Sequence, residues 1–85
     1  MSARYVATFF SHFGATCFRR LCRDRGVPCE LSPVPRSLSS SCGTCAFFDV
    51  LPLGEGERWG DEVELVAEAG EGAAPWRELY RAEGA

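Results

Sequence analysis

Arg4–Phe10 (RYVATFF) is an unbroken run rich in β-branched and aromatic residues, and it predicts a strand. Ser11 follows as a candidate N-cap for a helix over His12–Arg25. In that helix Ala15, Phe18, Leu21 and Cys22 recur at spacings of three, three and one, which marks a single buried stripe. Arg19, Arg20, Arg23 and Asp24 fall mostly off it. Gly26 stands where a helix-terminating glycine belongs, and Pro28 forbids restarting the helix. Cys29 and Leu31 then alternate with Glu30 and Ser32, a short second strand with Cys29 facing inward. Pro33 and Pro35 end it, because proline cannot serve in a central ladder. Arg36–Gly43 is a polar loop, and Thr44–Leu51 (TCAFFDVL) is the most apolar strand. Pro52–Gly60 is a glycine- and glutamate-rich connection. Asp61 and Glu64 fit a capping box for a short helix over Asp61–Ala69, with Val63, Val66 and Ala67 inward and Gly70 and Gly72 behind it. Trp76–Ala82 (WRELYRA) predicts a last strand.

The order strand, helix, strand, strand, helix, strand predicts an α+β fold of the ferredoxin-like βαββαβ kind. It would have a four-stranded antiparallel sheet with two helices on one face, in a single domain over residues 1–85. A right-handed crossover makes the first two strands parallel. The end of the second strand then lies at the same sheet edge as the start of the first helix. The loop carrying Ser39–Cys42 should therefore sit beside Ser11 and His12, though some thirty positions separate them in sequence.

That placement matters for a thiol. An unperturbed cysteine has a pKa of about 8.5, and the thiolate is the nucleophile. Helix N-termini and nearby cations lower thiol pKa values to roughly 3.5–7.5, because the first amides of a helix point outward unpaired. Arg36 can add a fixed guanidinium, and His12 a positive charge or a base. Gly43 lets the backbone pass closely or take positive φ. Ser39, Ser40 and Ser41 can donate hydroxyl hydrogen bonds to a bound anion. Taken singly, each of these residues also fits an inert surface turn; their expected convergence at one edge singles them out.

The remaining cysteines follow other patterns. Cys22 and Cys29 lie on apolar positions, where cysteine acts as a small hydrophobe. Cys17 and Cys22, five apart on one helix, point about 140° away from each other and cannot share a metal ion. Only Cys42 and Cys45 form a ligand-like pair, so no metal or other cofactor is expected. Cys45 opens a strand-like run, and it fits a resolving thiol as well as a plain strand residue. The acidic clusters Glu55–Glu57 and Asp61–Glu64 have few apolar neighbours and are expected to be solvated. Trp59 and Trp76 are expected as core residues or loop anchors.

With 85 residues and a formal charge of -3, the chain has no surplus of positive charge for a nucleic-acid backbone. Its nine basic residues are all arginine. No stretch approaches the roughly 18 apolar residues of a membrane span, and the opening MSARYVATFFSHF has no apolar signal core, so a cytoplasmic location is expected. Five cysteines in that compartment stay reduced, bind metal or react.

The run Tyr5–Gly43 resembles a small bacterial family of selenium/sulfur (Se/S) carrier protein-like chains. The resemblance rests on Thr8–Phe9, Ala15, Gly26–Val27–Pro28 and above all Pro33–Val34–Pro35–Arg36–Ser37–Leu38–Ser39–Ser40–Ser41–Cys42–Gly43. It implies that Cys42 carries sulfur or selenium as a persulfide or selenopersulfide. The expected partners are a persulfide donor, such as a cysteine desulfurase, and a sulfur or selenium acceptor protein. Cys45 departs from the family, which more often has a small or apolar residue there, and so brings disulfide chemistry into view. Two rivals stand beside the carrier: a thiol–disulfide oxidoreductase using Cys42 and Cys45, and a non-catalytic interaction module. An exposed sheet edge also opens a route to a homodimer.

Overall fold

The computed structural model describes residues 4–35, 38, 41–54, 56–70 and 76–83. The elements run β1 (Tyr5–Phe9), α1 (His12–Asp24), β2 (Cys29–Pro33), β3 (Thr44–Phe48), β4 (Val63–Ala69) and β5 (Trp76–Arg81). They form a five-stranded sheet in the order β2-β3-β1-β4-β5, with every neighbouring pair antiparallel. No helix among the described residues is long and apolar enough to cross a membrane.

β1 is the central strand and all five of its residues are buried, which explains its near-continuous apolar run. Tyr5, Ala7 and Phe9 face α1 and join Ala46, Phe48, Val63 and Val66 in one cluster; Val6 faces the opposite side with Cys45 and Ala67. α1 lies across β1, β2 and β3 and buries Gly14, Ala15, Phe18 and Cys22. The Phe18 ring meets Phe9, Phe48 and Trp59 at centroid distances of 5.5, 5.1 and 6.0 Å. The expected stripe is therefore observed, with Leu21 half-buried at its margin. Gly26 at φ 70° closes the helix: its N–H donates to Arg23 O and that of Val27 to Cys22 O, a Schellman turn.

β1 and β2 are both antiparallel to β3 and hence parallel to each other, with β3 between them. This first half agrees with expectation. The second half corrects it. Within the predicted helix over Asp61–Ala69, Val63–Ala69 forms strand β4, and among the described residues the fold has five strands and one helix, in place of four strands and two helices. The physical reason is a bulge. Thr8 pairs with Leu65 and Phe9 with Val63, so Glu64 is an extra residue in the ladder. The bulge puts Val63 and Val66 on the same face although they are three apart, which imitates helical spacing. The pull toward a strand comes from β1, whose second edge would otherwise bury unpaired amides and carbonyls. Trp59 covers the β4 half of the helix-side face, with its ring 6.3 Å from Tyr80, and Trp76 packs on Phe47 across the other face.

Candidate functional site

The β2–β3 connection leaves the edge strand at Pro33 and returns at Thr44. Val34 N–H donates to Gly43 O at 3.1 Å, which closes the base of the loop, while Val34 and Leu38 cover the sheet face opposite α1. Gly43 takes φ 73°, a turn that a residue with a side chain would adopt only under strain. Cys42, just before it, is half-buried; its side chain packs against the helix-side cluster, and its Sγ donates to Thr44 O at 3.5 Å.

Two glutamates at the start of β4 fasten this end of the molecule. Glu64 accepts from Ser41 N–H at 3.2 Å, from Ser41 Oγ at 2.6 Å and from Thr8 Oγ1 at 3.3 Å. The loop is thus clasped to the central strand one residue before Cys42. Glu62 accepts from the Ser11 hydroxyl, and its carbonyl accepts from Phe10 N–H at 3.0 Å. Gly14 makes that contact with the helix possible: a Cβ there would lie 2.6 Å from Glu62 Cβ. The loop bearing Cys42 and the first turn of α1 are therefore both tied to one short segment, as the parallel arrangement of β1 and β2 requires.

The residues singled out from sequence divide accordingly. Ser11 is the helix N-cap, accepting from Gly14 N–H at 3.4 Å, so its hydroxyl is committed to the helix and to Glu62. The Ser41 hydroxyl is committed to Glu64. His12 is exposed at the first helical position, where its carbonyl accepts from Thr16 Oγ1. Arg36, Ser39 and Ser40 lie outside the described residues.

Cys45 differs from Cys42 in its exposure and in the face of the sheet it occupies. It is fully buried in the cluster on the face away from α1, and its Sγ donates to Pro33 O at 3.7 Å. Burial first, and the neighbouring Cys42 sulfur second, push its pKa up to about 11. It therefore holds its proton at neutral pH.

Thr8, Glu62 and Glu64 are the site residues that sequence reasoning missed. Thr8, the polar residue within an otherwise apolar strand, is the available signal. Glu64 reads in sequence as part of a capping box, for a helix that does not form.

No curated protein and no solved structure matches the chain. One family model does, over residues 4–59, a span that takes in β1, α1, β2, the Cys42 loop, β3 and the connection as far as Trp59. The chain therefore belongs to the family described as "Putative Se/S carrier protein-like".

Proposed function

We propose that this protein is a carrier of sulfur or selenium and that Cys42 is the atom-bearing residue. The observation that supports this best is the contrast within the family-matched loop. Cys42 is partly accessible at a turn braced by Gly43 and by the Glu64 clasp, whereas Cys45 is sealed and protonated. In the loading step the Cys42 thiolate attacks the outer sulfur of a donor persulfide, such as that of a cysteine desulfurase. A new S–S bond forms at Cys42, the donor S–S bond breaks, and the donor cysteine leaves as a thiolate, with no net oxidation. A selenopersulfide reacts in the same way. In the unloading step a nucleophile on the acceptor protein attacks the outer atom, and the Cys42 thiolate is regenerated. The clasp holds the loop while the outer atom is exchanged.

The buried, protonated state of Cys45 disfavours the oxidoreductase reading, which needs Cys45 to attack Cys42 readily. The test is loading from a desulfurase fed radiolabelled cysteine. Label should appear on the wild type, be released by dithiothreitol, persist in Cys45→Ala and be absent from Cys42→Ser. If Cys42→Ser takes up label as well as the wild type, the carrier reading fails.

A further inference from the structure

We propose that the protein associates with a second copy of itself through an apolar groove beside α1, with Phe13 of each copy seated in the groove of the other. The groove exists because α1 lies across β1, β2 and β3, and among the described residues no second helix covers the β4 side of the same face. Gly14, Cys17, Phe18 and Leu21 form its helix wall, and residues 60–63 form the opposite wall. Gly14 contributes no side chain to fill it. The groove encloses about 190 Å³. A buried cavity of about 150 Å³ accepts benzene, so there is room here for one phenyl ring.

The same surface carries the ring to fill it. Phe13 is 69% exposed, the most exposed large apolar side chain among the described residues. Phe13, Cys17 and Leu21, each four apart, form a stripe that passes from the exposed ring to the groove wall. A knob and a hole side by side suit a two-fold interface, in which one patch must fit itself. An axis through the middle of the stripe, at Cys17, runs the two helices antiparallel and sets Phe13 opposite Leu21 of the second copy. The charges agree with that register. Asp61 lies on the groove beside the start of α1, next to Glu62, which meets Gly14. Arg20, two turns after Phe13, is carried by the two-fold to the start of the second α1, and so to its Asp61. Both side chains are exposed, and among the described residues neither is in a salt bridge. The pair forms twice, once on each side of the axis.

The sheet edges are poorer candidates for self-association. β2 ends in Pro33, while β5 pairs through a bulge after Val66 and carries Arg77, Glu78 and Arg81. Proline, bulges and charges all blunt an edge. One helix face and a groove rim bury less than about 1,200 Å² in total, the low end of specific interfaces, so the dimer is reversible, with a Kd of about tens of micromolar.

The experiment is analytical ultracentrifugation of the full chain under reducing conditions at neutral pH, from about 5 to about 500 μM, a range that brackets the expected Kd. The wild type should show a reversible monomer–dimer equilibrium. Phe13→Asp should weaken association by about thirtyfold or more, with an unchanged far-UV circular dichroism spectrum, since the residue is exposed and an acid suits the first turn of a helix. Phe13→Ala, the milder change, should weaken it by about tenfold. Arg20→Glu and Asp61→Arg, made singly, should each weaken it by about tenfold, because like charges then meet twice. The double variant Arg20→Glu/Asp61→Arg should return to the wild-type constant, which damage to the fold would not allow. A wild type that stays monomeric at the highest concentration overturns the proposal. So does a dimer that both Phe13 variants leave intact, which would place the contact elsewhere, as at a sheet edge. A double variant that associates no better than the single ones overturns it as well.

Discussion

The two ends of the sheet hold thiols in opposite ways. At one end Cys42 sits in a turn whose neighbours are held by carboxylates: Glu64 grips Ser41 and Thr8, and Glu62 grips Ser11. At the other end Cys22 is fully buried in the helix-side apolar cluster and Cys29 packs half-buried against it. The first end is positioned by polar contacts between distant elements, all converging on the start of β4. The second is positioned by the local turn from α1 into β2. The contrast teaches that β4 serves the first end through carboxylate hydrogen bonds and the second only through apolar packing by Val63 and Val66. The family model stops at Trp59, before the strand that supplies the Glu64 carboxylate and the Glu62 residue leading into it. The clasp on Cys42 is thus contributed by a part of the chain outside the matched span.

The largest effect should come from separating α1 from β4. In Gly14→Val the new Cβ would collide with Glu62 Cβ and crowd Glu62 O, which lies 3.1 Å from an ideal Cβ. Such overpacking costs about 3 kcal/mol, offset only slightly by replacing a helical glycine. Urea unfolding should register that loss. In the folded variant Cys42 should alkylate faster with iodoacetamide, while Cys29 keeps its wild-type rate of alkylation. Equal changes at both ends would dissolve the distinction between them.

Glu64→Ala makes a finer cut at the same end. It removes the acceptor of two hydroxyl hydrogen bonds and one backbone hydrogen bond, in a partly exposed setting where the group is worth about 2 kcal/mol in all. It also leaves the buried Thr8 hydroxyl without its carboxylate. The loop should open more often, and Cys42 alkylation should rise by about threefold or more. Thermal denaturation and timed alkylation followed by peptide mapping give both numbers. Unchanged Cys42 reactivity would show that the clasp stabilises the sheet without governing the thiol.

The two ends also differ in how far they are legible in sequence. The Cys22–Cys29 end is local. The stripe Ala15, Phe18, Leu21 and Cys22, the glycine at 26 and the alternation from Cys29 all report short-range geometry, so the helix, its termination and the inward Cys29 can be read directly. What cannot be read is how far each is covered: Cys22 is fully buried, Cys29 half-buried. At the Cys42 end the loop, the turn glycine and the sheet edge are readable, because parallel β1 and β2 follow from crossover handedness. The clasp stays hidden because one bulged residue, Glu64, breaks the period-two pattern of β4 and makes VELVAEA resemble a helix. The Ser41 hydroxyl reads in sequence as a donor for a bound anion and Ser11 as an N-cap, whereas Glu64 and Glu62 already take those hydrogens. Cys45 is ambiguous in sequence because period-two alternation does not say how thoroughly the far face is covered. Val34 and Leu38 settle that by folding over it.

The smallest effect probes the Cys22 end through an acid-sensitive tether. Arg25, just after α1, pairs with Glu57 through both guanidinium amino groups, with Nη2–Oε2 at 2.7 Å, and its Nη1 also donates to Pro52 O at 3.3 Å. This pins the connection bearing Trp59 to the end of the helix. The Arg25 hydrogen bonds, and then the Gly54 N–H, hold the Glu57 carboxyl down to about 2. In the unfolded chain a glutamate titrates near 4.3. A lowered folded-state value means that the tether's contribution is fully present above about pH 4.3 and is lost as pH falls through about 2. The pair is solvent-exposed, so the stability change should be slight. Its local consequence should still be visible in Trp59, which rests on Phe18. In a Trp76→Phe background, Trp59 fluorescence should shift between about pH 4 and pH 2, and the same titration of Arg25→Gln should already start from the shifted signal. Cys42 loading, measured after return to neutral pH, should be the same in Arg25→Gln as in the parent, because its glutamate clasp lies at the far edge of the sheet. A loading defect in Arg25→Gln would instead mean that the two ends communicate through α1.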